Sequence, residues 1–431
     1  MRIPEVPVKP IGSMFLIVVF LLALVATCIP TNLASSPHSN EATKLRVALF
    51  PYLPFTNDET NEALRARLES EFETTCPDVD LELRKFDYND DFYDPYWVAG
   101  LLKSETDIVE IDTMLLGALL DMEAIAPWPD PRLAADAHQI AVEAGRYQGH
   151  LYAIPHWMCG HFIVSQYESV TTSRSLQELI AALEGLNTQR PNLVGDLVGS
   201  WNAPAIYLDA WADTRSEQEI SSAVGLPLDP VVLRSLSDFA AQGFTNGKNP
   251  CTNGDYHYNN DAAVAFGKGM ADSLFGYSER LFYSVRAGAD PTTLHITSVP
   301  LGEGTDPLWF VDSLVLRVYP EPDDALPTAE RERYAGEIRK KLAAAQSFVA
   351  YLNNSRTFEW IHTSEDLGAG SPARYLIPAS RSAFRARAFS GDPIMQQILP
   401  LLDRGTFFPR FNLPGVRRGM ESAIRDSWSK N

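Results

Sequence analysis

The apolar run Leu45-Arg46-Val47-Ala48-Leu49-Phe50-Pro51-Tyr52 is short and ended by proline, the pattern of a buried strand. Glu59 to Thr75 predicts a helix, with Leu64, Leu68 and Phe72 along one face. Val79 to Phe86 alternates as a second strand, Asp107 to Asp112 reads as a third, and Met114 to Met122 predicts a helix. This strand–helix order predicts an α/β sheet with helical crossovers. It also sets Asp112 at the carboxyl end of its strand, where open α/β sheets gather ligand groups. Further along, Ser175 to Leu186 and Asp229 to Ala241 are amphipathic helices, and Ala262 to Asp272 is a weaker one. Leu308 to Val318 is strand-like, Thr328 to Leu352 is a long helix, and Arg374 to Ala379 is a final extended piece.

With 431 residues there is room for two domains with sizeable cores. The formal net charge of -19 argues against a nucleic-acid partner and suits neutral or cationic ligands. Met14 to Thr27 is continuously apolar and preceded by Arg2 and Lys9. It is shorter than the ~20 residues of a membrane span, so it reads as a secretory signal, and the protein is expected outside the cytoplasm. Val25-Ala26-Thr27-Cys28 approximates a bacterial lipoprotein box, so Cys28 is a candidate lipid tether, with residues 1–44 as leader and spacer.

Apart from Cys28 the cysteines are Cys76, Cys159 and Cys251, an odd number for an oxidising compartment. One bridge and one free thiol is the natural partition. The surroundings of Cys76 and Cys251 suit a surface bridge, which leaves Cys159 free. Cys159 then reads either as a buried structural thiol or, with a base nearby, as a nucleophile. His156 and His161 are close in sequence, but in an extended segment their side chains are not aligned with the thiol for proton transfer. A metal site on His156, Cys159 and His161 lacks a fourth ligand at familiar spacing. Glu279 lies among Phe275, Gly276 and Tyr277, apolar surroundings that raise a carboxyl pKa, although it could equally pair with Arg280. Asp112 reads as a ligand group or as an ordinary helix N-cap.

Gly149-His150-Leu151-Tyr152-Ala153-Ile154-Pro155, Ala265 to Ala271 and Tyr375 to Ala379 resemble, in this order, the type II periplasmic solute-binding fold. The resemblance implies two α/β lobes with a ligand cleft between them. Lobe 1 is expected over residues 45–155 plus about 295–365, and lobe 2 over 156–294 plus about 366–431. Trp157-Met158-Cys159-Gly160, followed by Phe275-Gly276-Tyr277-Ser278-Glu279, resembles thiaminase I (thiamine pyridinylase). Phe50 to Pro54, Glu110 to Thr113, Tyr207 to Ala210 and Phe310 to Ser313 extend the likeness.

That resemblance implies an enzyme with Cys159 as nucleophile and Glu279 as its base. Asp112 and Asp312 would bind the aminopyrimidine, and Tyr52 and Tyr277 would stack on the rings. Phe50 and Phe310 stand where tyrosines are expected, keeping the stacking surface and losing the hydroxyls. The implied reaction is a double displacement. Cys159 adds to the pyrimidine, neutral thiazole leaves, and an amine, pyridine or thiol takes its place, with no metal or other cofactor. Its partners would be thiamine and a nucleophilic base, acting on a monomer. The main rival is an extracytoplasmic receptor for thiamine or a related small ligand. A cysteine hydrolase using His156 or His161 is a third reading.

Overall fold

A computed structural model describes residues 42–50, 53–54, 58–85, 91–104, 106–215, 217–257, 259–410 and 413–428. The leader with Cys28, and also Tyr52 and Tyr88, lie outside the described residues. Five strands carry the first part of the fold: β1 (Thr43–Ala48), β2 (Val79–Leu83), β3 (Ile108–Asp112), β4 (Ala153–Cys159) and β5 (Phe162–Ser165). Four follow later: β6 (Ser273–Gly276), β7 (His295–Ser298), β8 (Leu308–Arg317) and β9 (Ile377–Pro378). The helices that matter most here are α1 (Asp58–Thr75), α2 (Asn202–Thr214) and α3 (Thr328–Leu352).

The larger sheet has eight strands, with the order β9-β4-β8-β3-β1-β2 and two short strands attached to β8. Strand β1 runs parallel to β2 and β3, whereas β8 is antiparallel to both β3 and β4. Leu45 and Val47 of β1 join a core with Leu64, Leu68 and Phe72 of α1 and with Phe348 and Leu352 of α3. Val109 and Ile111 of β3 belong to a second core on the other face. With both faces covered, strands of this kind become near-continuous apolar runs. All five residues of β3 are buried, Glu110 and Asp112 among them. Two carboxyl groups in such a strand must find partners or lose their charge.

The smaller sheet is antiparallel, with the order β7-β5-β6. Only Gly160 and His161 separate β4 of the large sheet from β5 of the small one. The chain therefore leaves the large sheet directly after Cys159. Glu279 follows β6 on a short 3-10 turn, Ser278–Arg280.

Several elements differ from expectation. The first strand stops at Ala48, ahead of Phe50 and Tyr52. The helix expected over Met114 to Met122 begins as a 3-10 turn, Thr113–Leu115, capped by Asp112. Pro95–Lys103 is a helix capped by Asp94, although its start falls in what reads as a loop. Helix α2 is buried almost all round from Ala203 to Ala210, so it shows no amphipathic stripe to reveal it.

The bridge expected between Cys76 and Cys251 does not form: Cys76 is disulfide-bonded, while Cys251 is a free, buried thiol. The Gly/Asn-rich loop is not a plain surface turn. Asn249 caps a four-residue helix, Pro250–Asn253, and Cys251 turns inward with its Sγ 3.7 Å from the Leu193 carbonyl. Cys159 is free, as expected.

A buried ion pair lies beside the link between the two sheets. Arg374 meets Asp366 through two hydrogen bonds of 2.7 and 2.6 Å, with both side chains out of solvent. The next residue, Tyr375, accepts a 2.7 Å hydrogen bond from Ser278, the neighbour of Glu279. Removing one member of a buried pair strands the other charge, at a cost of about 3–5 kcal/mol. Asp366→Asn is therefore expected to lower stability by about that amount in urea titrations. A loss of under about 1 kcal/mol, the range of solvent-exposed pairs, would refute this role.

Candidate active site

Strand register alone assembles half of the site. Asp112 on β3 is directly opposite Asp312 on β8, and Phe310 on β8 is directly opposite Cys159 on β4. Opposed residues share a face, as do residues two apart on one strand. Cys159, Phe310, Asp312 and Asp112 therefore form a continuous patch. The β8–β4 register shifts at Asp312/Ser313, where Asp312 faces Trp157 and Ser313 faces Pro155. His156 is thus the extra residue of a β-bulge, a feature that re-aims a side chain and interrupts pairing. Pro155, which has no N–H to offer the ladder, sits at that interruption.

This patch opens into a cleft of about 730 Å³. Phe50, Asp112, Cys159, Tyr277, Glu279, Phe310 and Asp312 all line it, together with Tyr93, Trp201 and Arg280. Seven residues expected from sequence thus meet in one cavity, and the eighth, Tyr52, lies outside the described residues. The size suits a small organic molecule.

The electrostatics of the cleft are governed by desolvation and like charge. Burial pushes the Asp112 carboxyl up to about 7, opposed by a 2.9 Å hydrogen bond from the Met114 backbone N–H. Asp112 is therefore both an N-cap and a cleft residue. Burial likewise drives Asp312 well above the carboxylate range, reinforced by the charges of Asp112, Glu110 and Glu279. Glu279 is raised by burial, with Arg280 and His161 working against the rise. The Cys159 thiol is held well above its ordinary value by burial, then by Asp312, Glu279 and Asp112. It is a protonated thiol in the ligand-free protein. No hydrogen bond joins it to Glu279; the two share the cleft and act on each other through charge.

Neither neighbouring histidine serves the thiol. His156 Nδ1 is 2.5 Å from Glu110 Oε1, and the other oxygen of Glu110 accepts the Phe50 backbone N–H at 2.9 Å. His161 Nδ1 is 2.9 Å from Asp209 Oδ2. The His161 ring also stacks on Phe275 at 5.2 Å and on Tyr277 at 5.0 Å. Burial lowers His161 to about 3 and raises Asp209 well above the carboxylate range. Among the described residues no group of three or more His, Cys, Asp or Glu side chains is arranged to hold a metal ion.

The aromatic walls differ from the sequence expectation in detail. Phe310 is buried and stacks on Phe408 at 4.5 Å, so it offers the cleft little of its faces. Tyr93 adds a phenol to the cleft wall beside Phe50. It packs edge-on against Phe50 at 5.5 Å and near Trp201 at 5.0 Å, and burial with the charges of Asp112 and Asp312 raises its phenol. Tyr96, three residues further on, is largely exposed. Periodicity could not separate Tyr93 from Tyr96; the Asp94 cap, which starts the helix between them, is the signal that could have.

No protein-family model matches this chain, and no curated protein sequence does. Solved structures do. Thiaminase I from Bacillus thiaminolyticus is 20% identical with a TM-score of 0.65, over 89% of this chain and 99% of that one. Clostridium botulinum thiaminase I in complex with thiamin is 16% identical with a TM-score of 0.64, over 89% and 100%. The GacH receptor of Streptomyces glaucescens, known with acarbose, is 18% identical with a TM-score of 0.58, over 90% and 98%. The chain has the two-lobed α/β fold of type II periplasmic binding proteins, which these enzymes and receptors share.

The raised Asp112 carboxyl carries a consequence for stability. Its folded pKa, about 7, exceeds the ordinary 3.8, so the folded protein holds the proton more tightly than the unfolded chain. The resulting stabilisation is complete below the unfolded pKa and disappears as pH rises through the folded one. Asn at this position mimics the neutral acid at every pH. The wild type is therefore expected to lose stability relative to Asp112→Asn between about pH 4 and pH 7, as read from urea midpoints. A pH-independent difference would contradict a raised Asp112.

Proposed function

We propose that this protein is a thiaminase I-like transferase that acts outside the cytoplasm and exchanges the thiazole of thiamine for another nucleophile. The observation that carries this reading is the meeting of Cys159 and Glu279 in one cleft with the opposed Asp112–Asp312 pair. A ligand-binding scaffold has no need of a thiol facing a carboxyl base. Thiaminases among the solved structures of the same fold support it.

In this mechanism the acidic cleft receives a cation. The positive thiazolium offsets the carboxylates that oppose ionisation of Cys159, so substrate binding itself lowers the cost of forming the thiolate. Glu279 takes the thiol proton, and sulfur adds to the pyrimidine carbon next to the one bearing the methylene. Asp112 and Asp312, sharing protons, hydrogen-bond the aminopyrimidine and stabilise the charge that develops on the ring. The electron pair pushed through the ring breaks the methylene–nitrogen bond, and the thiazolium departs as neutral thiazole. The incoming nucleophile bonds to the methylene, the carbon–sulfur bond breaks, and sulfur recovers a proton from Glu279. The reaction needs no other cofactor, and the chain acts as a monomer.

A receptor role is the second reading, favoured by the acarbose- and maltose-binding structures of the same fold and by the Tyr93–Trp201 aromatic wall. One experiment separates the two. Purified protein is incubated with thiamine and pyridine, and thiamine loss and the pyrimidine product are followed by mass spectrometry. Turnover is expected in wild type and is lost in Cys159→Ser. Glu279→Gln is expected to reduce it by roughly 10²–10⁴-fold, the usual contribution of a general base. Tight binding with no turnover in wild type would establish the receptor instead.

A further inference from the structure

We infer that the cleft is built for thiamine carrying a phosphate on its hydroxyethyl arm, with Arg417, Arg418 and Ser200 as the phosphate-binding group. This rests on the transferase reading above and names its substrate class. The first sign is a charge out of place. Helix α4 (Leu413–Trp428) buries Leu413, Met420 and Ile424 in the second core. Positions 413, 417, 420 and 424 recur at helical spacing along one face. Position 417 thus falls on the inward face, where an apolar residue is expected, and it holds arginine.

The Arg417 guanidinium lies over the Trp201 ring at 4.0 Å and donates to the Ser200 hydroxyl. A guanidinium stacked on an aromatic face still presents its planar N–H edge, the geometry that grips a phosphate. Ser200, Trp201, Arg417 and the exposed Arg418 all line the main cleft. Ser200 and Trp201 stand at the start of α2, so the positive end of that helix adds to the same edge. Arg280, the third arginine of the cleft, is committed elsewhere, donating to Asn260 at 2.5 Å.

These arginines close a series that begins at the acids. The Tyr93 phenol senses Asp112 and Asp312, its ring is 5.0 Å from Trp201, and Trp201 carries Arg417. Phosphorylated thiamine has the same order of groups: an aminopyrimidine for the aspartates, a thiazolium for the aromatic rings, and an anion for the arginines. Unmodified thiamine ends in a neutral hydroxyl and leaves the arginines without a counterion. At a formal net charge of -19 an anion gains nothing from the overall field, so these contacts must supply its affinity. An anionic incoming nucleophile fits less well, because it must reach the methylene beside Glu279 and the paired aspartates. The phosphate takes no part in the bond changes. The methylene–nitrogen bond breaks as before, its electron pair stays on nitrogen, and the neutral thiazole ring leaves with its phosphate ester intact.

The test measures binding apart from turnover, by calorimetry on the full chain carrying Cys159→Ser. Thiamine monophosphate is expected to bind roughly tenfold or more tightly than thiamine, the usual weight of charge-assisted hydrogen bonds. Arg418→Gln and Arg417→Gln are each expected to lose most of that preference, while thiamine affinity stays within about twofold. Arg417→Lys keeps the charge without the fork and is expected to recover part of it. Should Arg417→Gln weaken both ligands alike through its lost stack on Trp201, the exposed Arg418 decides. Equal affinity for the two ligands, or a preference undiminished in Arg418→Gln, overturns the phosphate site. So does inorganic phosphate that tightens thiamine binding as much as the ester does, which would mark a site for the free anion. Wild-type protein that binds both ligands and converts neither in the presence of pyridine overturns the transferase reading instead.

Discussion

Two aspartates facing each other across an antiparallel ladder set the terms for the rest of the cleft. Asp112 and Asp312 are fixed by strand register, so neither can retreat without breaking β3 or β8. Glu110 and Glu279 add to the same field, and Arg280, one of three arginines lining the cleft, donates to Asn260. Such a group of acids relieves its repulsion in one of two ways, by retaining protons or by admitting a positive ligand. Both responses follow from backbone pairing and require no motion of the protein. Desolvation raises the proton affinities of Cys159, Tyr93 and Tyr277, and the same field adds to the rise.

The scaffold around this patch works chiefly through polar groups that tie strands to one another. Glu110 joins the end of β1, through the Phe50 N–H, to the bulge of β4, through His156. The Asn353 side chain donates to the Pro155 carbonyl at 2.9 Å, so the end of α3 also grips that bulge. On the other side, Ser278 fastens the Glu279 turn to Tyr375, beside the Arg374–Asp366 pair. Cys159 and Glu279 thus descend from different sheets, and each is braced by contacts made far away in sequence.

The sequence was most informative where one strand or helix carries its own pattern. The helix at Thr328–Leu352 follows the apolar and charged spacing to its last residue, and Asp229 and Ser175 cap their helices as their residue types suggest. The convergence of Cys159, Glu279, Asp112 and Asp312 was legible only through ordered motifs, since no local rule links residues on three strands and a turn. Pairings that depend on tertiary approach were invisible. His156 and His161 look like a cysteine's partners, yet each is claimed by an acid 46 and 48 residues away in the chain. Cys251 sits in a loop of surface composition and still points inward, because a four-residue helix re-aims it. The walls of the cleft were misjudged for a related reason: stacking on Phe408 removes Phe310 from view, and that contact spans almost a hundred residues.

Sulfur oxidation proceeds through the thiolate, and peroxides and disulfides attack a protonated thiol slowly. Burial, together with the acids that crowd Cys159, therefore acts as a preservative. They hold the sulfur inert while the cleft has no cation, in surroundings where an exposed, ionised cysteine would soon be spent. A cationic ligand would offset those charges, so ionisation of the sulfur is coupled to occupancy of the cleft.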